Sequence, residues 1–286
     1  MQITHADEIE WKRGLEYRGG TFHARTLLTG RPGTLGNFQL NLGRVQGDFS
    51  SPRHRHNFDQ FRFQVEGVAD FARDGKMTPG CLGYFPEGAA YGPQSNADTA
   101  ITLVLQFGAA SGSGYLSAGE VDAGRKALQN EGEFKGGVFT RREGVPGRKN
   151  TDGYQAIWEN QRGRDMEYPK PRYRTPIMLD IDHFDWRPAM RGVDEKVLGI
   201  FTERRAEARL YRIEADSSFT LPTRSIYFVL SGEGTIESAP YRKWTACHLD
   251  EGEIATLTAR TETIVLRLGL PDLRDLEVTA PRLAAE

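Results

Sequence analysis

Thirty-two glycines and fourteen prolines break this 286-residue chain into short runs of Val, Ile, Leu, Phe, Thr and Tyr. Gly and Pro interrupt helices and mark turns, so a chain cut this finely reads as many strands joined by tight connections. Strands are predicted over Phe22 to Leu28, Gly36 to Leu42, Gln60 to Glu66, Gly83 to Phe85 and Ile101 to Phe107, with turn clusters such as RPGTLGN and ARDGKMTPG between them. The pattern changes at the small, polar stretch GAASGSGYLS. After it, Ser117 to about Asn130 reads as a helix, with Ser117 and Glu120 at capping-box spacing. A second short helix is predicted at Asp152 to Asn160, where Tyr154, Ile157 and Trp158 share one face. GRDMEYPKPRYRTP is broken by proline and reads as extended. From about Trp186 the β pattern returns in EARLYRIEA, SIYFVLSGEGTIES and ETIVLRLGL. Two β-rich halves around a mixed linker predict a duplicated, mainly all-β fold, divided at 1–115, 116–185 and 186–286.

Charge narrows the partners. With 37 basic and 39 acidic residues the net charge is -2, and no basic run or field is present to hold nucleic acid or a membrane surface. No apolar stretch approaches the length of a spanning helix, and MQITHADEIEWKRG lacks the apolar core of a secretory signal, so a cytoplasmic location is the expectation. Cys81 and Cys247 leave room for one disulfide at most, not for a disulfide framework.

The chemistry is concentrated in GDFSSPRHRHNFDQFRFQVEG, Gly47 to Gly67. His54 and His56 stand at i and i+2, which in a strand turns both to one face. Gln60 follows four positions after His56, and Gly67 follows seven after Gln60. A second stretch, GCLGYFPEGAAYGPQ, begins at Gly80 and carries a Pro-x-Gly turn at Pro86 and Gly88. Together and in this order the two stretches resemble the paired motifs of the cupins: G, H-x-H, E, G and then G, P-x-G, H. The strings PRHRHNFDQ and YFPEG-x-x-YGPQ are similar to those of a group of bacterial cupins.

The resemblance implies two double-stranded β-helix (jelly-roll) barrels joined by the linker, and a metal site formed by His54, His56, Gln60 and Tyr91. Two of these positions depart from the family pattern. Gln60 stands where glutamate is usual and offers only a neutral carbonyl. Tyr91 stands where the third histidine is usual; it would either ligate as a phenolate, its pKa pulled down from about 10 by a cation, or donate a hydrogen bond over a water-filled site. Imidazole ligands suit a divalent transition metal such as Fe, Zn, Ni, Mn or Cu; the opposing expectation is a polar pocket without metal.

Strand alternation groups Gln60, Arg62 and Gln64 on one face and Phe61, Phe63 and Val65 on the other. Arg62 is then a candidate to orient an anionic substrate, its alternative being an ion pair with a neighbouring strand. Gln106, which interrupts LVLQFG, either caps the barrel end or, as the preferred reading, faces the pocket, where it and Gln64 join Arg62 as candidate substrate-binding residues. Asp59 is a rival ligand or general base turned away from Gln60, and Glu87 is expected to face solvent. Tyr84 and Phe85 read as core. Trp158, Glu159, Arg172 and Tyr173 are expected to pack between barrels or across a dimer rather than over a barrel mouth.

Aligning SIYFVLSGEG with the first motif puts Ser225 at the glutamate position, Phe219 and Leu221 at the histidine positions and Thr258 at the proline position, with the third histidine position near Thr263. Apolar replacements predict a second barrel that is filled and structural. The expected function is a metal-dependent dioxygenase or other oxidoreductase on a small organic molecule, with Tyr91 and Arg62 catalytic. The alternatives are a metal-free isomerase, epimerase or lyase, and a non-catalytic ligand carrier. A homodimer is expected.

Overall fold

The computed structural model describes residues 1–14, 21–47 and 49–279. The N-terminal barrel is a seven-stranded antiparallel sheet in the order Ile177–Asp180, Cys81–Phe85, Asp59–Glu66, Ala100–Phe107, Phe38–Val45, Phe22–Thr29, Lys12–Arg13. A four-stranded sheet of two-residue strands, built from Ser50–Ser51, Gln94–Ser95, Ala69–Asp70 and Lys76–Met77, covers one face. The C-terminal barrel repeats the plan. Its seven strands run Gln2–His5, Thr245–Leu249, Ser225–Ser231, Thr263–Gly269, Glu207–Ile213, Val193–Ile200, Arg187–Met190, and its small sheet has four. The barrels exchange edge strands: Gln2–His5 pairs with Thr245–Leu249 of the second barrel, and Ile177–Asp180 pairs with Cys81–Phe85 of the first.

Register explains how the barrels join. Across neighbouring strands, Leu40 pairs with Leu105 and Leu105 with Phe61; Leu42 pairs with Leu103 and Leu103 with Phe63. These side chains leave the sheet on the face away from Gln60. They merge with Leu198, Phe201, Leu210, Phe228, Leu266 and Leu268 of the second barrel in one core. Tyr84 stacks on Phe201 across this seam, with centroids 4.6 Å apart. At roughly 1.5–3 kcal/mol for each fully buried large side chain, the seam is a principal source of stability.

The second barrel is packed shut. Phe219, Leu221, Tyr211, Tyr227, Val229, Leu257 and Val265 fill its interior, as the replacements at the histidine positions predict. Cys81 and Cys247 are both buried free thiols. No described helix is long and apolar enough to cross a membrane.

The linker is more structured than its sequence suggests. Helix Ala118–Leu128 carries the predicted capping box. Helix Gly153–Arg162 is capped by Asp152, whose carboxylate accepts from the Tyr154 and Gln155 amides. A three-stranded sheet, Gly132–Lys135, Val138–Arg141 and Asn150–Asp152, lies between them. The sequence shows no period-two apolar run there, and Phe139 is its only fully buried side chain of size.

Candidate active site

The two motifs meet through the backbone. His54 and Tyr91 form an isolated antiparallel bridge, with N–H to O distances of 3.1 and 2.9 Å. The histidines do not lie on a regular strand as alternation assumed. The segment from Pro52 to Phe58 is irregular, and His54 is held by that bridge while His56 accepts from the Gly88 amide through its carbonyl at 2.8 Å. Gly88 has to be glycine: its φ is +76°, and an added Cβ would stand 2.1 Å from the Pro169 carbonyl oxygen. Arg53 ties the same loops together, donating to Asp74 and to the Gly92 carbonyl at 2.7 and 2.8 Å and also to the Ala90 carbonyl.

The side chains converge on one oxygen. The Tyr91 hydroxyl lies 3.0 Å from His54 Nε2, 3.0 Å from Gln60 Nε2 and 3.0 Å from Arg62 Nη2. His54 Nδ1 lies 2.7 Å from the Pro52 carbonyl, which can only accept. Nδ1 therefore carries the proton, and in the neutral ring Nε2 accepts from Tyr91. The amide and guanidinium groups of Gln60 and Arg62 donate to the same phenol oxygen. Arg62 also donates to Gln60 Oε1 from Nη2 at 3.0 Å and to Gln94 Oε1 at 3.1 Å, which joins the large sheet to the small one. Its guanidinium lies 4.5 Å from the Phe85 ring centroid and 5.3 Å from that of Tyr91. Tyr91 is 2% exposed and Gln60 1%.

The His56 ring sits edge-on to His54, with centroids 4.9 Å apart, and stacks on Phe58 at 4.4 Å. Tyr154 from the linker helix meets both His56 and Phe58 edge-on, at 5.4 and 5.3 Å. Arg55 lies over the Tyr168 ring at 3.9 Å. The linker thus walls the site, a role given to neither Tyr154 nor Phe58 by the sequence; the aromatic face of the predicted helix was the available signal. Trp158 belongs to this cluster, whereas Arg172 and Tyr173 bridge to the second barrel at Glu203 and Phe201. Glu159 accepts from Gln155 and the Met166 amide within the linker.

Gln64 is fully buried and bonds to the Glu66 carbonyl and the Thr102 hydroxyl. Gln106 pairs in register with Gln60 and accepts from the Tyr115 hydroxyl at 3.1 Å, on the interior face. Asp59 is turned away from Gln60 toward the seam, as alternation predicts. Glu87 corrects the expectation of a solvent-facing side chain: it is 1% exposed, accepts from Ser111, and pairs with Arg172 at 2.7 Å. Its backbone N–H donates to Asp59 at 2.8 Å. Burial, reinforced by the nearby Glu87 charge, pushes the Asp59 carboxyl up to about 7. Burial also raises Glu87, against the opposing pull of Ser111 and Arg172.

As a metal site the four predicted ligands fit poorly. Among the described residues no group of three or more His, Cys, Asp or Glu could hold an ion. Two imidazoles, an amide and a phenol supply no carboxylate to offset a dication. The Arg62 cation already occupies acceptor positions on Gln60 Oε1 and the Tyr91 oxygen. A cleft of about 530 Å³ lies elsewhere, beside Arg224, His248, Asp250 and Asp272, and its charges are largely paired with one another.

No protein-family model and no curated protein matches the sequence. Solved structures do. A putative dioxygenase from Nostoc punctiforme superposes with a TM-score of 0.63 at 13% identity, covering 93% of this chain and 81% of that one. Oxalate decarboxylase from Bacillus subtilis gives 0.53 at 13% identity, covering 95% and 76%. The chain has the two-barrel cupin fold.

Proposed function

We propose that the N-terminal barrel is the active site of an enzyme that moves protons on a small organic substrate, as an isomerase, epimerase or lyase does. The observation that carries this reading is the Tyr91 hydroxyl, shared by His54, Gln60 and Arg62. Tyr91 and His54 make an acid–base pair. The tyrosine proton passes to Nε2 of His54, and the phenolate left behind takes a proton from the substrate carbon and gives it back at the new position. The ring, pinned at Nδ1 by Pro52, then returns its own proton to Tyr91 along the same line. Gln60 and Arg62 fix the oxygen and oppose the negative charge that appears on it as the proton leaves. Arg62 therefore acts by holding Tyr91, Gln60 and Gln94 rather than by reaching for substrate.

The test is solvent-deuterium exchange into candidate metabolites, followed by NMR with wild-type protein and with Tyr91→Phe. Exchange that needs Tyr91 and survives a strong chelator supports the reading; exchange abolished by the chelator and restored by Fe(II) or Mn(II) sinks it.

A metal-dependent oxidative reading draws support from the likeness to the Nostoc protein. Elemental analysis decides between the two. Stoichiometric transition metal in purified protein favours oxidation, and its absence after anaerobic loading favours proton transfer.

A further inference from the structure

The interior face of the large N-terminal sheet is a ladder of amides. In register across three strands, Gln39 pairs with Gln106 and Gln106 with Gln60; on the next rung Asn41 pairs with Val104 and Val104 with Arg62; on the third Gly43 pairs with Thr102 and Thr102 with Gln64. None of these nine positions is acidic. Gln39, Asn41, Thr102 and Gln106 are half-buried, so solvent reaches them, while the opposite face of the same strands is sealed.

Part of the ladder is already engaged. Gln39 Nε2 donates to Asn41 Oδ1 at 2.9 Å, and the Tyr115 hydroxyl donates to Gln106 Oε1. These bonds leave the Gln106 and Asn41 NH2 groups with no protein acceptor among the described residues, both on the face from which Gln60 and Arg62 reach the Tyr91 hydroxyl. An amide presents both donors and an acceptor without charge, which complements a hydroxyl group, itself donor and acceptor. Such a surface rewards a ligand with several hydroxyls at sheet spacing, and it penalises an apolar ligand that leaves the amides unpaired.

We infer that this barrel binds a hydroxyl-rich, carbohydrate-like molecule, with Gln106 and Asn41 donating to its hydroxyl oxygens while Tyr91 and His54 face the reacting carbon. The inference deepens the acid–base reading by assigning the substrate class, and it rests on that reading's choice of barrel.

The experiment is ligand-observed NMR and calorimetry with four probes: a neutral aldohexose, an inositol, cyclohexanol and benzoate. The sugar or the inositol binds and the other two do not. Gln106→Leu and Asn41→Leu each weaken that binding by roughly fivefold to tenfold, the effect of one lost hydrogen bond, with melting temperatures near wild type. Binding of cyclohexanol or benzoate as tight as the sugar, unchanged affinity in both variants, or no binding of either hydroxylated probe overturns the assignment. Sugar binding that persists in Tyr91→Phe with no turnover by wild-type protein overturns only the acid–base reading. Turnover of a substrate without hydroxyls overturns only this one.

Discussion

The carboxylate of Glu87, in the Pro-x-Gly turn of the first barrel, is paired at 2.7 Å with Nη1 of Arg172 from the linker. The same guanidinium holds Glu203 of the second barrel with its Nε and Nη2 atoms. One cation thus joins the turn that supports His56 to the neighbouring barrel.

The two halves of that bridge differ in energy because they differ in exposure. Glu87 is 1% exposed, and Glu203 is 62% exposed. Removing the cation from a buried carboxylate leaves an uncompensated charge, so Arg172→Ala is expected to cost about 3 kcal/mol. Glu203→Ala, which removes a screened partner, is expected to cost under about 1 kcal/mol. Urea denaturation of the two variants reads the difference directly.

Asp59 sets a pH dependence. Its carboxyl rises from 3.8 to about 7 in the folded protein, chiefly by burial. Between those values the folded state keeps a proton that the unfolded chain releases. The stabilising contribution of Asp59 is therefore complete at the acid end and is lost as pH rises through about 7. Asp59→Asn stays neutral throughout and retains an acceptor for the Glu87 amide. Its melting temperature, relative to wild type, is expected to climb as pH increases across this window. A difference that is flat with pH would show that Asp59 ionises normally.

Tyr91→Phe deletes the shared oxygen and nothing else. The expected loss in kcat/KM is about 10²- to 10⁴-fold, the range for a positioned acid or base. The expected stability cost is about 1–3 kcal/mol, because Gln60 and Arg62 each lose an acceptor. Steady-state kinetics with any substrate found, together with thermal melts, separates the two effects.

Much of this was legible in the sequence. Glycine-bounded apolar runs located every long strand of the first barrel but missed the eight-residue Val193–Ile200 of the second, whose run VDEKVLGI is interrupted by charge. Alternation along Gln60–Glu66 separated the interior amides from the phenylalanines of the seam. Phe219 and Leu221 announced a filled second barrel. The site was legible as a group of residues but not as a network: spacing cannot show that Tyr91 and His54 bridge through their backbones, or that Arg62 turns onto the phenol. Glu87 misled because charged turn residues usually face water; its burial depends on Arg172, 85 positions away. Tyr154 escaped because a helix face says what is apolar, not which neighbour it will cover.

Gly88 offers a test of the loop that supports the site. Its φ of +76° and the 2.1 Å approach of the Pro169 oxygen leave no room for a methyl group. Gly88→Ala is expected to destabilise the protein by at least about 2 kcal/mol, combining backbone strain with the clash. Because the Gly88 amide holds the His56 carbonyl, the His56 ring resonances should shift in NMR spectra. Gly33→Ala, at a similar φ of +78° but with open space around it, serves as the control for backbone strain alone.

The large N-terminal sheet turns its oily side outward, against its neighbour, and its amides inward. Its cohesion therefore comes in large part from docking to a second barrel, with a smaller cluster of Phe71, Met77, Phe85 and Tyr91 packed inside the first. Gln39, Asn41 and Gln106 take no part in the core the barrels share, so replacing them should leave the two barrels seated on one another.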